Sequence, residues 1–575
     1  MSDAIALYGT EAPVAAGERL AVGPLSFTLE QGGLRHIRVG AVEIIRGVGF
    51  LVRDRDWGTL APDLELVERT VSSDRIGLHL RAGYRNAGAL LSVDLRIDAR
   101  PEALAVRALG RATGDFETNR AGFTVLHPAD CAGCPVRITH PGGTAKDTAF
   151  PTLIDPWQPF MDIAAMAHRA NGLEVVCAFD GDTFETEDQR QWGDASFKTY
   201  NRPLAKPWPY LLRDGAALEQ SVTLSWRPVE AARPASPAAE DESGLVRFPQ
   251  TAILVSAGDA RRLVDAPQDI RDVAPQRLLC TLDETRGDIE GQCAAFGALQ
   301  RRLPDLALDL EAVCAFDLAP LPALRALRDR MDAAGFRPAS VLVCPSVDRQ
   351  STPPGSAWPA CPPLEEVHAA SAEVFPDMPR GGGMVTFFPE LNRKRPPLTT
   401  LDFVSHGLCP IVHAADDLSV MESLEAVPHI TRSARALIGD RAYRLGPGTI
   451  AMRHNPYGAR TIPNPGRDRI CMTDDDPRHG AAFGAAYAIG LACALAPAAI
   501  AVWTPAELYG PRGLTGPLRT AVTALARLAD QPVVSARIEG GLGSLRVGQT
   551  EIRVNLTAQP RAGLPPYGWA ARPAG

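Results

Sequence analysis

The apolar pattern of this chain changes its period once, across a stretch rich in proline, alanine and acid, and that change constrains the fold more than any single motif. Before it, in segments such as 25–30, 63–68, 75–81 and 91–97, apolar and polar residues alternate every second position, with Gly, Asp or Asn in the gaps. A period of two belongs to antiparallel strands with one buried face. No long amphipathic helix interrupts this region, and its last strand is expected at 221–226. Its length suits a β-sandwich of the supersandwich kind. Residues 227–243 have no periodicity and read as a linker. Beyond them, short apolar runs alternate with helical patterns such as 321–331. The runs lie at 277–284, 306–311, 340–345, 384–388, 403–405, 411–413, 448–452 and 499–503. Strands interleaved with helices predict a TIM-type (β/α)8 barrel. A doubly wound sheet is the rival, but no Gly-rich phosphate loop follows the first strand. Three more strands, at 533–539, 544–547 and 551–556, make a tail too short for an independent sandwich. The tail is expected to pack on the barrel or to complete the first sheet. The expected domains are thus an N-terminal β-sandwich (1–228), a linker (229–245), a TIM-barrel-like catalytic domain (246–530) and a small C-terminal β domain (531–575).

Composition narrows the function. The 59 Lys and Arg against 67 Asp and Glu give a net charge of −8, which excludes an electrostatic nucleic-acid binder. Residues 485–503 are uncharged, but alanine dominates them and Gly490 and Pro497 interrupt them. A buried helix followed by a buried strand is expected there, not a membrane span. The first twenty residues lack a basic segment followed by an apolar one. Together with an odd count of 11 scattered cysteines, this predicts reduced thiols and a cytoplasmic protein. G-x-S-x-G, S-x-x-K, H-E-x-x-H and Walker patterns are absent, so a serine α/β-hydrolase and an ATP-driven enzyme are disfavoured.

In a barrel the catalytic groups sit at the C-terminal ends of the strands. Those ends offer Asp283 and Glu284, Glu311, the run Phe387-Phe-Pro-Glu-Leu-Asn-Arg-Lys-Arg-Pro396, His406, His413 with Asp416 and Asp417, Arg453-His-Asn-Pro-Tyr457, and Thr504. The densest is the run at 387–396, where an apolar strand end meets Glu390, Asn392, Arg393 and two further cations. Such a patch positions a carboxylate and binds hydroxyl or carboxyl groups. His406 and His413 end consecutive expected strands, and histidine suits general-base work when a carboxylate such as Asp416 orients it. The bland reading is a pair of core histidines with Asp416 capping the following helix. Arg453, His454 and Asn455 suit polyhydroxy or carboxylate ligands, and Glu284 is a further substrate-binding candidate. Cys131 and Cys134 flanked by His127 and His140 lack a second C-x-x-C and finger spacing, so a reduced turn is favoured over zinc. No metal ligand set is assigned and no cofactor is expected; a metal requirement and the oligomeric state are not set by the sequence.

Two segments carry a family resemblance: Glu187-Asp-Gln-Arg-Gln-Trp-Gly-Asp-Ala-Ser-Phe-Lys-Thr-Tyr-Asn-Arg-Pro-Leu204 and the run at 387–396. With the three-part layout they resemble the bacterial D-apionate lactonases. The resemblance covers nearly the whole chain. It implies an N-terminal β domain, a TIM barrel and a small C-terminal domain. It also implies hydrolysis of D-apionolactone to D-apionate in the breakdown of apiose, and so a small sugar-lactone substrate. No catalytic residue is carried over from the family, so the assignments rest on strand ends. On that basis His406 or His413, helped by Asp416, activates water, and Glu390 protonates the leaving alkoxide. Arg393 or Arg453 stabilises the oxyanion, and Asn392 and Asn455 read sugar hydroxyls. The segment at 187–204, with Trp192, reads as an interface loop or substrate lid, or as plain sandwich structure. The competing readings are a glycoside hydrolase working with two strand-end carboxylates and a carbohydrate-binding protein without chemistry.

Overall fold

The computed structural model describes residues 2–14, 16–55, 57–229, 246–352, 357–456 and 460–573. The expected linker, apart from Val229, lies outside them, as does Tyr457. The chain forms two compact units. One is Val14–Arg190 with Ala195–Asp241, and the other is Met1–Pro13, Gln191–Asp194 and Glu242–Gly575.

The first unit is built from an eight-stranded and a nine-stranded antiparallel sheet, with a small two-stranded sheet beside them. Its strands arise as the period of two demands. Strands Ile76–Asn86 and Ala89–Arg100 bury alternate residues and are joined by Ala87 and Gly88, both at positive φ. Two left-handed residues make the tight turn that matches the twist of a hairpin. The core of this unit is a continuous set of buried side chains that includes Phe27, Ile45, Leu91, Val106, Phe123 and Phe184. One expectation changes: Asp63–Val71 is a strand, but all of its residues are exposed. It lies at the edge of the nine-stranded sheet, where charged side chains protect a strand without a burying partner. The last strand, Ala217–Pro228, is longer at both ends than the six residues expected.

The second unit holds a closed parallel barrel. Its strands are β1 (Gln250–Ser256), β2 (Arg277–Asp283), β3 (Ala307–Cys314), β4 (Ser340–Pro345), β5 (Arg380–Phe387), β6 (Phe403–Leu408), β7 (Ala442–Gly448) and β8 (Ile500–Trp503). The ring closes where Gln250 pairs with Val502 and Thr251 with Trp503. The (β/α)8 reading therefore holds, with two corrections to the strand list. Residues 411–413 are not a strand but the loop after β6, and the seventh strand is Ala442–Gly448 rather than 448–452. The first strand, Gln250–Ser256, lies just past the linker and was missed. In β5 the chain passes so close to β6 that a Cβ on Gly383 would lie 2.1 Å from the Ser405 carbonyl oxygen, and its φ is +114°. Only glycine fits there.

The uncharged stretch resolves as expected into a buried helix, Ala482–Leu495, and then β8. Among the described residues no helix is long and apolar enough to cross a membrane. The tail is a four-stranded antiparallel sheet of Val533–Glu539, Leu542–Val547, Thr550–Asn555 and Trp569–Pro573, one strand more than expected. It packs on the Ala482–Leu495 helix, with Gly543 against the Cys493 sulfur and Leu556 against Gly490.

Candidate active site

β5 runs directly into a short helix, Phe388–Lys394, with Pro389 in its first turn. Proline is tolerated there because the first helical N–H groups have no intrahelical partner. This abrupt strand-to-helix change places Glu390, Asn392 and Arg393 at the C-terminal end of the barrel. Glu390 and Asn392 are both buried. Glu390 Oε1 accepts three hydrogen bonds: from Ser351 Oγ at 2.8 Å, from the Thr352 backbone N–H at 3.2 Å and from Arg393 Nη1 at 3.0 Å. Arg393 Nη1 also donates to Ser351 Oγ at 3.1 Å and to the Thr352 carbonyl at 3.3 Å. Glu390 Oε2 has no partner among the described residues, although it is buried. Lys394, on the same helix, contacts Asp348 and lies 5.1 Å from the Trp358 ring centre. Burial brings its ammonium group down to about 8.

His413 lies in the loop after β6. Its Nδ1 is 2.7 Å from Asp194 Oδ2, and both side chains are about a fifth exposed. The ring meets Trp192 edge to face, with centres 6.0 Å apart, and the Arg393 guanidinium carbon lies 5.8 Å from the same Trp192 ring. Trp192 thus neighbours both His413 and Arg393, the partner of Glu390. The carboxylate hydrogen-bonded to His413 is Asp194, and Asp416 has a duty of its own. It is the N-cap of the helix Asp417–Glu422, accepting from the Ser419 N–H at 2.9 Å. That agrees with the capping reading.

His406 is not brought to this cluster. Ser405 lines the barrel interior, so the alternation of β6 turns His406 outward, toward the helices. It is fully buried, with Nε2 2.7 Å from Tyr443 Oη and Nδ1 2.9 Å from the Gly407 carbonyl oxygen. Burial lowers its imidazole to about 4.

Arg453 is committed inside the barrel. Its Nη2 donates to Glu311 Oε1 at 2.6 Å and to Thr281 Oγ1 at 2.9 Å, and its Nη1 to Glu311 Oε2 at 3.2 Å. Beside it, burial and then the Arg453 charge push His454 well below the usual imidazole range, and its Nε2 has no partner among the described residues. Asn455 donates to the Arg460 carbonyl at 2.9 Å. Glu284 follows β2 and accepts from the Ala315 N–H at 2.9 Å through Oε2, while burial pushes its carboxyl up. Ala315 lines a cleft of about 280 Å³ at the ends of β3 and β4, together with Phe316, Ser346, Val347 and Cys361.

Among the described residues no group of three or more His, Cys, Asp or Glu could hold a metal ion. His127 bonds Thr199 at 3.1 Å, His140 bonds the Asp162 carbonyl, and both cysteines of the C-x-x-C pair are free thiols. The sequence reading missed Ser351, which presents Glu390, and Asp194, which holds His413. No spacing rule joins Asp194 to a histidine 219 positions later. The one available hint was the unusual density of charge around Trp192.

A TIM barrel whose C-terminal end carries a buried carboxylate, a guanidinium and a histidine–carboxylate pair has the make-up of an enzyme acting on a small polar substrate. The family model described as D-apionate lactonase, N-terminal domain, matches residues 5–229, and that described as D-apionate lactonase, TIM barrel domain, matches residues 251–535. A D-apionate lactonase of Brucella anthropi is 40% identical over 97% of this chain and 96% of its own. The chain belongs to the D-apionate lactonase family. Among solved structures, a putative aldose 1-epimerase from Escherichia coli aligns with 37% of this chain and 99% of its own, at 10% identity and a TM-score of 0.28. A GH30 endoxylanase from Clostridium papyrosolvens aligns with 55% of this chain and 83% of its own, at 8% identity and a TM-score of 0.36.

Proposed function

We propose that the protein is a sugar lactonase that hydrolyses D-apionolactone to D-apionate in the cytoplasm. The observation that carries this reading is the 40% identity, over nearly the full length of both chains, with a D-apionate lactonase. Lactone hydrolysis needs an activated water, a charge to meet the developing oxyanion and a proton for the departing ring oxygen. His413 takes the proton from water. Arg393 supplies the positive charge near the carbonyl oxygen, and Glu390 meets the substrate through Oε2. His406 is a packing residue in this scheme, because both ring nitrogens are bonded inside the wall of the barrel. Arg453 shapes the barrel interior through Glu311 and does not reach for substrate.

The test is acid release in weak buffer with a pH indicator, offering D-apionolactone, unbranched aldonolactones and aryl glycosides. Rapid acid release from the branched lactone is expected. Cleavage of aryl glycosides with no lactone turnover would overturn the reading in favour of two-carboxylate glycosidase chemistry.

A further inference from the structure

The sequence segment that supplies the partner of His413 belongs to the stretch matched by the N-terminal domain model, residues 5–229, yet Gln191–Asp194 clusters with the barrel unit. Its residues are specialised. Trp192 faces both His413 and Arg393. Gly193 has φ +91°, in the left-handed region. A left-handed turn at that point presents Trp192 and Asp194 together, and glycine adopts it without penalty. Gln191 is 1% exposed, and both atoms of its amide lack partners among the described residues. A buried amide without hydrogen bonds is costly, and such costs concentrate where a segment is held for function.

We infer that Asp194 is the positioning residue of the catalytic histidine, so that the active site of the barrel is completed by a four-residue insert from the N-terminal part of the chain. The inference rests on the lactonase reading. Asp194 Oδ2 accepts the Nδ1–H of His413, which fixes the tautomer and leaves the Nε2 lone pair without a partner among the described residues. Nε2 takes a proton from water as the water oxygen bonds to the lactone carbonyl carbon. The ring C–O bond then breaks and the imidazolium returns that proton to the departing alkoxide. The products are the hydroxy acid anion and the one proton that its carboxyl group releases. Asp194 touches neither water nor lactone; it acts by orienting the ring and by stabilising the imidazolium, as the acid of a Ser-His-Asp triad does.

The experiment uses the full chain. D194N is expected to lower kcat on D-apionolactone by ~100-fold or more, with KM within about threefold, because an amide at that position favours the wrong tautomer. D194E is expected to recover part of the rate. D194N combined with H413Q is expected to be no slower than H413Q alone, since the two groups act as a unit. Histidine-selective 15N NMR of the wild type should show His413 protonated at Nδ1 and bare at Nε2, which does not depend on any variant folding. D194N with wild-type kcat, or His413 protonated at Nε2, overturns the inference. A wild type that turns over no lactone overturns the lactonase reading instead, and the NMR tautomer still decides the role of Asp194.

Discussion

The lower interior of the barrel and its mouth hold charged groups in opposite ways. Near the start of the strands Asp309 is clasped by Arg277, with contacts of 2.6 and 2.7 Å, and accepts from Ser340 Oγ at 2.6 Å. Arg444 donates to the same Ser340 oxygen at 2.8 Å and stacks on Phe403 at 3.7 Å. Both oxygens of Asp309 are used. At the mouth, Glu390 Oε1 takes its donors while Oε2 has no partner among the described residues, and His413 spends one nitrogen on Asp194. On the proposed reading, the difference separates groups that build the barrel from groups kept for a ligand. In a TIM barrel the N-terminal end serves stability and the C-terminal end serves chemistry.

The largest expected effect sharpens the closed side of this comparison. His368, His406 and His479, all in the barrel unit, are each lowered by burial from 6.5 to about 4. The native chain keeps them neutral down to about pH 4, while the unfolded chain protonates them near 6.5. Unfolding therefore takes up protons in that window, and stability falls as pH drops from 6.5 toward 4. Each such histidine is worth on the order of 3 kcal/mol across the whole window. Urea midpoints at pH 7, 5.5 and 4.5 measure this; a midpoint that stays level would mean that these rings are already charged in the fold.

D309N comes next. It keeps the shape but leaves the Arg277 and Arg444 charges short of their counterion, and breaking a buried pair in this way costs about 3–5 kcal/mol. The loss is read from urea unfolding at pH 7. The kcat of the molecules that remain folded should be unchanged, because nothing at this level meets substrate.

E390Q breaks the open side. It retains the Oε1 contacts in outline but replaces the charged oxygen that meets the substrate with an uncharged amide. A kcat lower by ~100-fold or more is expected for a charged group that acts on the transition state. A fall in kcat no larger than the loss of folded protein would reduce Glu390 to an anchor for Arg393.

How much of this was legible in the sequence follows from the range over which each signal acts. Period and punctuation are local, so the sandwich, the barrel and the helix-then-strand reading of residues 485–503 could be read directly. The Glu390–Asn392–Arg393 cluster was legible because strand, turn and charge lie within ten residues. The outward turn of His406 was readable in principle: had Phe403 and Ser405 been set as the inward positions of β6, strand alternation would have turned His406 away. Reading 411–413 as a strand hid this by making the two histidines look equivalent. The partner of His413 was not legible at all, because sequence shows which carboxylates are near in the chain, and the nearest, Asp416, had a local duty of its own.

That duty supplies the smallest effect and the sharpest contrast. Asp416 is three residues from His413 and was the natural partner by spacing, yet its side chain closes the first turn of Asp417–Glu422 by accepting from the Ser419 N–H. Replacing an N-cap aspartate by alanine costs about 1 kcal/mol. D416A should therefore lower the urea midpoint slightly, and D416N, which caps as well, should restore it. Neither should change kcat on the lactone, whereas D194N should change kcat and spare the helix. If D416A instead lowered kcat with the midpoint intact, the acid that orients His413 would be the near one, and the insert at 191–194 would lose its role in catalysis.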